Sequence, residues 1–349
     1  MELDSSFDCH DDKILNSTPC LWCGEKAIFK TKQKSYKEPD IFDIFYCQSC
    51  NTSFSMPRVD GDEIYELIYK NIQNVRGYSR YFNYNNQVIK QSNPLKFLAD
   101  SEPSYWGPIY TLRHILKIGK SARILEVGSG LGYLTYSLKN AGYNVQGLEI
   151  SKEAVNGAKE KYGDLYICDD LYNFAEKNIE SYDVVIMTEV IEHLSDPKGF
   201  IQSIKKLLIK QGVCIFTTPN KSFYPKDVAW FSDAPPVHCW WFSEDSIKYI
   251  ADLYNMELKF VDYTKFYKKH PQLYKINNIE SEGQSVFDSY GNLIVHDIDK
   301  KTKLRTPKWI KRIRIYNLLK DFLIQKRNIN VYKKGNRQSN VICAILTKD

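Results

Sequence analysis

Arg123-Ile-Leu-Glu-Val-Gly-Ser-Gly-Leu-Gly132 decides the reading of this chain. A short apolar run that breaks into glycines reads as a buried strand entering a tight turn. Glycines at 128, 130 and 132 let the backbone come close to a ligand with no side chain in the way. The helix predicted next, over 132–141, aims its first amides at that ligand. Leu148-Glu149-Ile150 then closes a second apolar strand, about twenty residues on, where an acid can accept two ribose hydroxyls. A third apolar strand, Tyr182-Asp-Val-Val-Ile-Met-Thr, runs into Glu189-Val-Ile-Glu192-His193. Two details argue against a dinucleotide. The spacing is Gly-x-Gly-x-Gly, and Glu126 stands where a pyrophosphate would be repelled but an ammonium group welcomed.

On these residues the chain resembles class I S-adenosylmethionine-dependent methyltransferases, well over 112–219 and more loosely at the C-terminal strand. The resemblance implies a doubly wound, Rossmann-like α/β sheet of seven strands, the last inserted antiparallel. It implies that Glu126, Gly128, Ser129, Gly130 and Gly132 hold the methionine part of the donor. Glu149 would hold the ribose, with Ile150 beside it, and Asp169 the adenine, with Asp170 a close rival. Glu189 would line the same site.

The alternating pattern supports this fold independently. Strands are expected at 123–127, 145–149, 165–168, 183–187 and 213–217, and helices at 109–118, 132–141, 151–161, 171–177 and 197–209. Met256-Glu-Leu-Lys-Phe-Val-Asp262 and Asn340-Val-Ile-Cys-Ala-Ile-Leu346 read as the last two strands. The 349 residues suffice for one large domain with appendages. No apolar run is long enough to span a membrane, and the acidic start Met1-Glu-Leu-Asp does not read as a signal peptide. Nine cysteines without an export signal predict thiols in a reducing cytoplasm.

The expected organisation is a flexible tail over 1–18, a zinc ribbon over 19–57, an aromatic connector or lid over 58–111, and the methyltransferase domain over 112–349. Cys20-Leu-Trp-Cys23 and Cys47-Gln-Ser-Cys50 are two Cys-x-x-Cys pairs, the spacing of a tetrahedral thiolate zinc site. Four sulfurs leave no open coordination position, so this zinc is expected to be structural. In the connector, Tyr78, Arg80 and Tyr81 are candidate lid residues. A basic insert lies at 263–339. Within it, residues 300–337 hold fourteen Lys or Arg and one acid, Asp321, a net +13 in a chain whose total is +6. Such a segment suits nucleic acid, an anionic membrane surface or a phosphate-bearing substrate, or is the solvated face of a packed helix.

Glu189, Glu192 and His193 share one face if they form a helical turn. That face lies at the carboxyl edge of the sheet, where doubly wound folds bind ligands. His238, in Pro235-Pro-Val-His238-Cys-Trp-Trp241, sits in a loop able to fold back over the same edge. Two glutamates and two histidines suit a divalent cation such as Mg²⁺ or Mn²⁺. The turn also resembles the metal-holding Glu-x-x-Glu-His of small-RNA 2′-O-methyltransferases and a similar turn in O-methyltransferases of ubiquinone biosynthesis, which implies Glu189, Glu192, His193 and His238 as ligands. Without metal, His193 or His238 can serve as general base.

The whole layout resembles bacterial methyltransferases of surface-glycan and deoxysugar biosynthesis. It implies a sugar, nucleotide-sugar or lipid-linked glycan as acceptor. Two alternatives stand beside it. One is an RNA methyltransferase of the ribose 2′-O type, suggested by ribbon, basic segment and interleaved aromatics. The other is a non-catalytic docking protein that keeps the cofactor fold.

Overall fold

The glycine-rich stretch does lie between a strand and a helix in a computed structural model, which describes residues 16–59, 61–75, 77–223, 234–273, 285–294, 323 and 339–349. Most of the expected tail and nearly all of the basic stretch 300–337 lie outside the described residues.

Two sheets carry the chain. The first contains β1 (Ser17–Pro19), β2 (Lys26–Lys34), β3 (Ile41–Cys47) and β4 (Thr52–Met56), antiparallel throughout. The second is built from β5 (Arg123–Val127), β6 (Asn144–Glu149), β7 (Tyr166–Cys168), β8 (Tyr182–Thr188) and β9 (Leu208–Pro219). β10 (Trp240–Trp241) then leaves this domain and pairs with β4, so a strand from far along the chain completes the first sheet. β11 (Met256–Phe260) and β12 (Val341–Lys348) finish the second, whose order is β11-β12-β9-β8-β5-β6-β7. β12 lies antiparallel to both β11 and β9, while β5 to β9 run parallel.

The sequence explains this placement. Val184, Val185, Ile186 and Met187 are buried in succession. Only a strand covered on both faces keeps such a run dry, and each side chain contributes about 1.5–3 kcal/mol by leaving water. Helices cover both faces and start on local caps. Ser151 accepts from the Ala154 amide ahead of Lys152–Tyr162. Asp196 accepts from Gly199, with Pro197 opening the helix to Leu207. β9 begins at Leu208, directly after that helix, so the strand is longer than its apolar pattern suggested. The helix expected at 109–118 starts earlier, at Pro103, and passes into a wider turn over Thr111–Ile115.

The connector lies against the carboxyl edge of the large sheet. Its helices Asp62–Lys70 and Ser79–Gln87 bring Tyr65, Tyr69, Tyr78, Arg80 and Tyr81 to one cavity shared with the ends of β5, β6 and β8. No helix among the described residues is long and apolar enough to cross a membrane.

Candidate active site

The cavity measures about 1580 Å³. A small-ligand pocket commonly spans ~300–1,000 Å³, so this one has room for two ligands side by side. One end is the glycine corner. Gly128 has φ 71°, and a Cβ there would stand 2.7 Å from Val190 Cγ2, so no other residue fits unstrained. At Gly130 an added Cβ would meet only Tyr69 Oη, at 3.9 Å, so the backbone faces open space. Gly132 leads directly into the helix Tyr133–Asn140, and Ser129 is buried in the same turn.

Glu149 is held ready at the end of β6. Its Oε2 accepts from the Gly130 amide at 2.8 Å and its Oε1 from the Ser151 amide at 3.0 Å. Each oxygen keeps a lone pair for a further donor. Ile150, next to it, is 70% exposed and lines the cavity. The two aspartates after β7 differ in employment. Asp170 caps the helix Leu171–Lys177, accepting from the amides of Tyr172 and Asn173. Asp169 accepts from Lys177 Nζ at 3.4 Å and keeps its place on the cavity wall.

Glu126 lies beneath this corner and is buried. Thr135 Oγ1 donates to its Oε2. Burial pushes its carboxyl up to about 8, against the hydrogen bond from Thr135. At neutral pH it is therefore mostly protonated until a cation arrives.

The other end of the cavity carries the second group. Glu189 follows β8 with φ 55° and stands outside the tight turn Ile191–His193. The shared helical face expected for Glu189, Glu192 and His193 is thus replaced by a sharper bend. Glu192, His193 and His238 instead offer ligand atoms all within 4.8 Å of one another, a group that does not include Glu189. Glu189 lines the cavity beside them.

Each member is held by neighbours. Thr218 Oγ1 donates to Glu192 Oε2 at 2.9 Å. His193 Nδ1 lies 2.7 Å from the carbonyl of Val237. A carbonyl only accepts, so Nδ1 carries the proton and Nε2 presents its lone pair. Tyr65 Oη approaches the same nitrogen at 2.8 Å. Glu192 Oε1 lies 3.8 Å from Nε2 and would steady an imidazolium. The His193 and His238 rings meet edge to face, their centroids 4.4 Å apart. Burial, with help from Arg80, lowers His238 to about 3, so it stays neutral and is a weak base.

Cys20, Cys23, Cys47 and Cys50 gather at one end of the first sheet, all four sulfurs within 4.8 Å of one another. Cys20 and Cys50 are 3.7 Å apart, Cys23 and Cys47 3.4 Å. A tetrahedron with zinc–sulfur bonds of ~2.3 Å has edges of about 3.8 Å, so these sulfurs fit that ion.

Residues 107–260 match a family model described as "Methyltransferase domain". This stretch is similar to methyltransferase domains. The match supports S-adenosylmethionine as its cofactor. Among curated proteins, the chain is 33% identical over 109 residues to the ubiquinone biosynthesis O-methyltransferase of Actinobacillus pleuropneumoniae serotype 7, covering 29% of this chain and 47% of that protein. It is 38% identical over 105 residues to the Vibrio cholerae O395 protein of the same name, covering 29% and 43%. The chain thus spans about half the length of the curated relatives it matches. Among solved structures, a SAM-dependent methyltransferase from Archaeoglobus fulgidus is 15% identical with a TM-score of 0.42, over 74% of this chain and all of that one.

Two side chains at this cavity escaped the sequence reading. Tyr65 shares a helical face with Tyr69, four residues on, and that spacing was the available signal. Arg58 had none, because its partners are backbone carbonyls of other segments.

Proposed function

We propose that this chain transfers a methyl group from S-adenosylmethionine to a hydroxyl, most specifically a sugar hydroxyl in surface-glycan or nucleotide-sugar biosynthesis in the cytoplasm. The observation that carries the chemistry is the lock of His193 Nδ1 on the Val237 carbonyl, which makes Nε2 the basic nitrogen of a residue lining the cavity that also holds Glu149 and the glycine corner.

In this reading the donor's ammonium group lies toward Glu126, its carboxylate against the amides after Gly128, its ribose on Glu149 and its adenine between Ile150 and Asp169. Asp170 keeps its capping role. The acceptor oxygen attacks the methyl carbon in line with the sulfur. An O–CH₃ bond forms, the S–CH₃ bond breaks, and the sulfur keeps the electron pair as a neutral thioether. The hydroxyl proton goes to His193 Nε2, and Glu192 stabilises the resulting imidazolium. Positioned base catalysis of this kind contributes about 10²–10⁴ in rate.

A second reading rests on the meeting of Glu192, His193 and His238 within 4.8 Å. Those three, with Glu189 beside them, would hold Mg²⁺ or Mn²⁺, and such an ion lowers the pKa of a bound hydroxyl. Full turnover in excess chelator leaves His193 as the base; loss restored by Mg²⁺ or Mn²⁺ selects the metal. Zinc in the four-Cys site is proposed on sulfur spacing and on the pairing of Cys20 with Cys50. The hydrogen bond from Cys50 holds the Cys20 thiol below its ordinary range, a direction that favours the thiolate a zinc ligand needs.

The sugar acceptor is supported by the lining. Tyr65, Tyr69, Tyr78 and Tyr81 offer aromatic faces, and Glu66, Glu102 and Glu153 offer acceptors for hydroxyls. The relatives' name points instead to ubiquinone biosynthesis, and the RNA alternative rests on the ribbon, the interleaved aromatics and the basic stretch 300–337, nearly all of which lies outside the described residues. The test is methyl transfer from labelled S-adenosylmethionine to nucleotide sugars, lipid-linked glycans, quinone-type phenols and RNA. Label on sugars is expected. Label confined to phenols or RNA replaces the sugar. Failure of S-adenosylhomocysteine to stabilise the fold at millimolar concentration favours a non-catalytic docking protein.

A further inference from the structure

The four-Cys ribbon and the histidine cluster meet along one seam. Trp240 and Trp241, just after His238, pair with Phe54 and Ser53 of β4. Ser55 N donates to the carbonyl of Cys239 at 3.1 Å, and Cys239 N donates to the carbonyl of Glu192 at 2.9 Å. A main-chain relay therefore runs from the ribbon, through the neighbour of His238, to Glu192 itself.

Arg58, just past β4, closes the seam. Its Nη2 donates to the carbonyls of Leu194 at 2.7 Å and Ser195 at 2.9 Å, and its Nη1 to that of Cys239 at 3.4 Å. Its guanidinium lies 4.8 Å over the Trp240 ring. Trp240 Nε1 donates to the same Leu194 carbonyl at 2.8 Å. One side chain of the ribbon's exit thus holds both loops that present the cluster.

The far side of the seam reaches the cysteines. Trp22, between Cys20 and Cys23, packs on Trp240 and Phe242 with centroids 5.7 and 4.9 Å away. Ser246 Oγ donates to the Cys50 carbonyl at 3.1 Å, and Thr52 Oγ1 to Ser246 Oγ at 2.7 Å. β10 has only two residues, too few to hold a register alone, so its place depends on β4 and on the knuckle that shapes β4.

We infer that Arg58 is a positioning residue, and that through it and β10 the metal-binding ribbon sets where Glu192, His193 and His238 stand. The catalytic meaning of this coupling rests on the function proposed above; the coupling itself does not. The ribbon is part of the active-site scaffold, and ordering its thiolates orders the cluster.

The test compares the zinc-loaded full chain with the same chain stripped by chelator, and with Arg58→Ala and Arg58→Lys. Stripping should speed amide exchange about tenfold or more in 190–196 and 237–242 as well as in 17–56, since each freed carbonyl weakens the closed state. Residues 123–150 should keep their protection, and S-adenosylhomocysteine affinity should stay within about threefold. Arg58→Ala should loosen 190–196 and 237–242 with 17–47 still protected, and shift the imidazole nitrogen-15 signals of His193 and His238. Arg58→Lys, which keeps the charge but loses the fork, should lie between. Exchange that rises only in 17–56 on stripping, or unmoved histidine signals in Arg58→Ala, overturns the inference. Unchanged methyl transfer in His193→Ala would instead overturn the base role proposed for His193 and leave the exchange result standing.

Discussion

The two ends of the cavity are built differently. The glycine end comes from contiguous chain: a strand, a glycine turn, a helix, and one acid at the tip of the neighbouring strand. Its critical contacts are local, such as the Gly130 amide on Glu149. The histidine end is assembled from distant pieces. Tyr65, the pair Glu192 and His193, Thr218 and His238 come from four separate segments, and Arg58 ties two of them together. The first end is a motif and the second a junction. A motif survives changes elsewhere in the molecule, while a junction is sensitive to every segment that enters it.

The largest effect that would break this contrast is expected at the junction. His193→Ala should lower the methyl-transfer rate about 10²–10⁴-fold while S-adenosylhomocysteine binds as before. Rate measurement on the acceptor found by the labelling screen, paired with calorimetry, checks both halves. A parallel loss of affinity would mean that the two ends are one unit.

At the motif end the loss should be one of affinity. Glu149→Ala removes two charge-assisted hydrogen bonds to a ribose and should weaken S-adenosylhomocysteine binding by about a hundredfold, with the fold intact. Calorimetry and a thermal scan measure both.

Glu126 sharpens the comparison through pH. Its carboxyl, raised to about 8, is protonated in the free protein at neutral pH. A bound ammonium favours the ionised form, so binding expels a proton. Affinity should therefore rise with pH up to about 8, by at most tenfold per unit, and fall again above it as the ligand's own amine, with a pKa of about 7.7–8.0, loses its proton. Calorimetry in buffers of different ionisation enthalpy should count the released proton. Glu126→Gln should flatten the rise, and a profile unchanged by that substitution would move the ammonium elsewhere.

The smallest effect expected at the motif end comes from the ribbon. Cys20→Ser should lower the melting temperature, yet change S-adenosylhomocysteine affinity by no more than about threefold. A larger loss would show that the ribbon shapes the glycine corner as well as the junction.

Much of this architecture was legible from local pattern. The consecutive burial of Val184 to Met187 follows from an unbroken apolar run, and the left-handed backbone at Gly128 from a residue without a side chain. The antiparallel β12 followed from the family resemblance. Less visible was the turn after β8. Helical spacing places Glu189 with Glu192 and His193, but a left-handed residue at 189 sharpens the bend, and a period of 3.6 no longer applies. The different partners of Asp169 and Asp170 also needed coordinates: Asp170 caps Tyr172 and Asn173, while Asp169 accepts from Lys177.

By itself, the sequence determined the succession of strands and helices along the chain, the glycine turn, the acid ending the second strand and the four-cysteine pattern. Each is encoded in a window a few residues wide, where backbone freedom, apolar periodicity and ligand spacing act. Only the tertiary structure decided that His193 meets His238, that Tyr65 and the Val237 carbonyl orient it, and that β10 crosses to the ribbon. Those contacts depend on how remote segments pack and register, and no local pattern records the distance between residues that lie far apart along the chain.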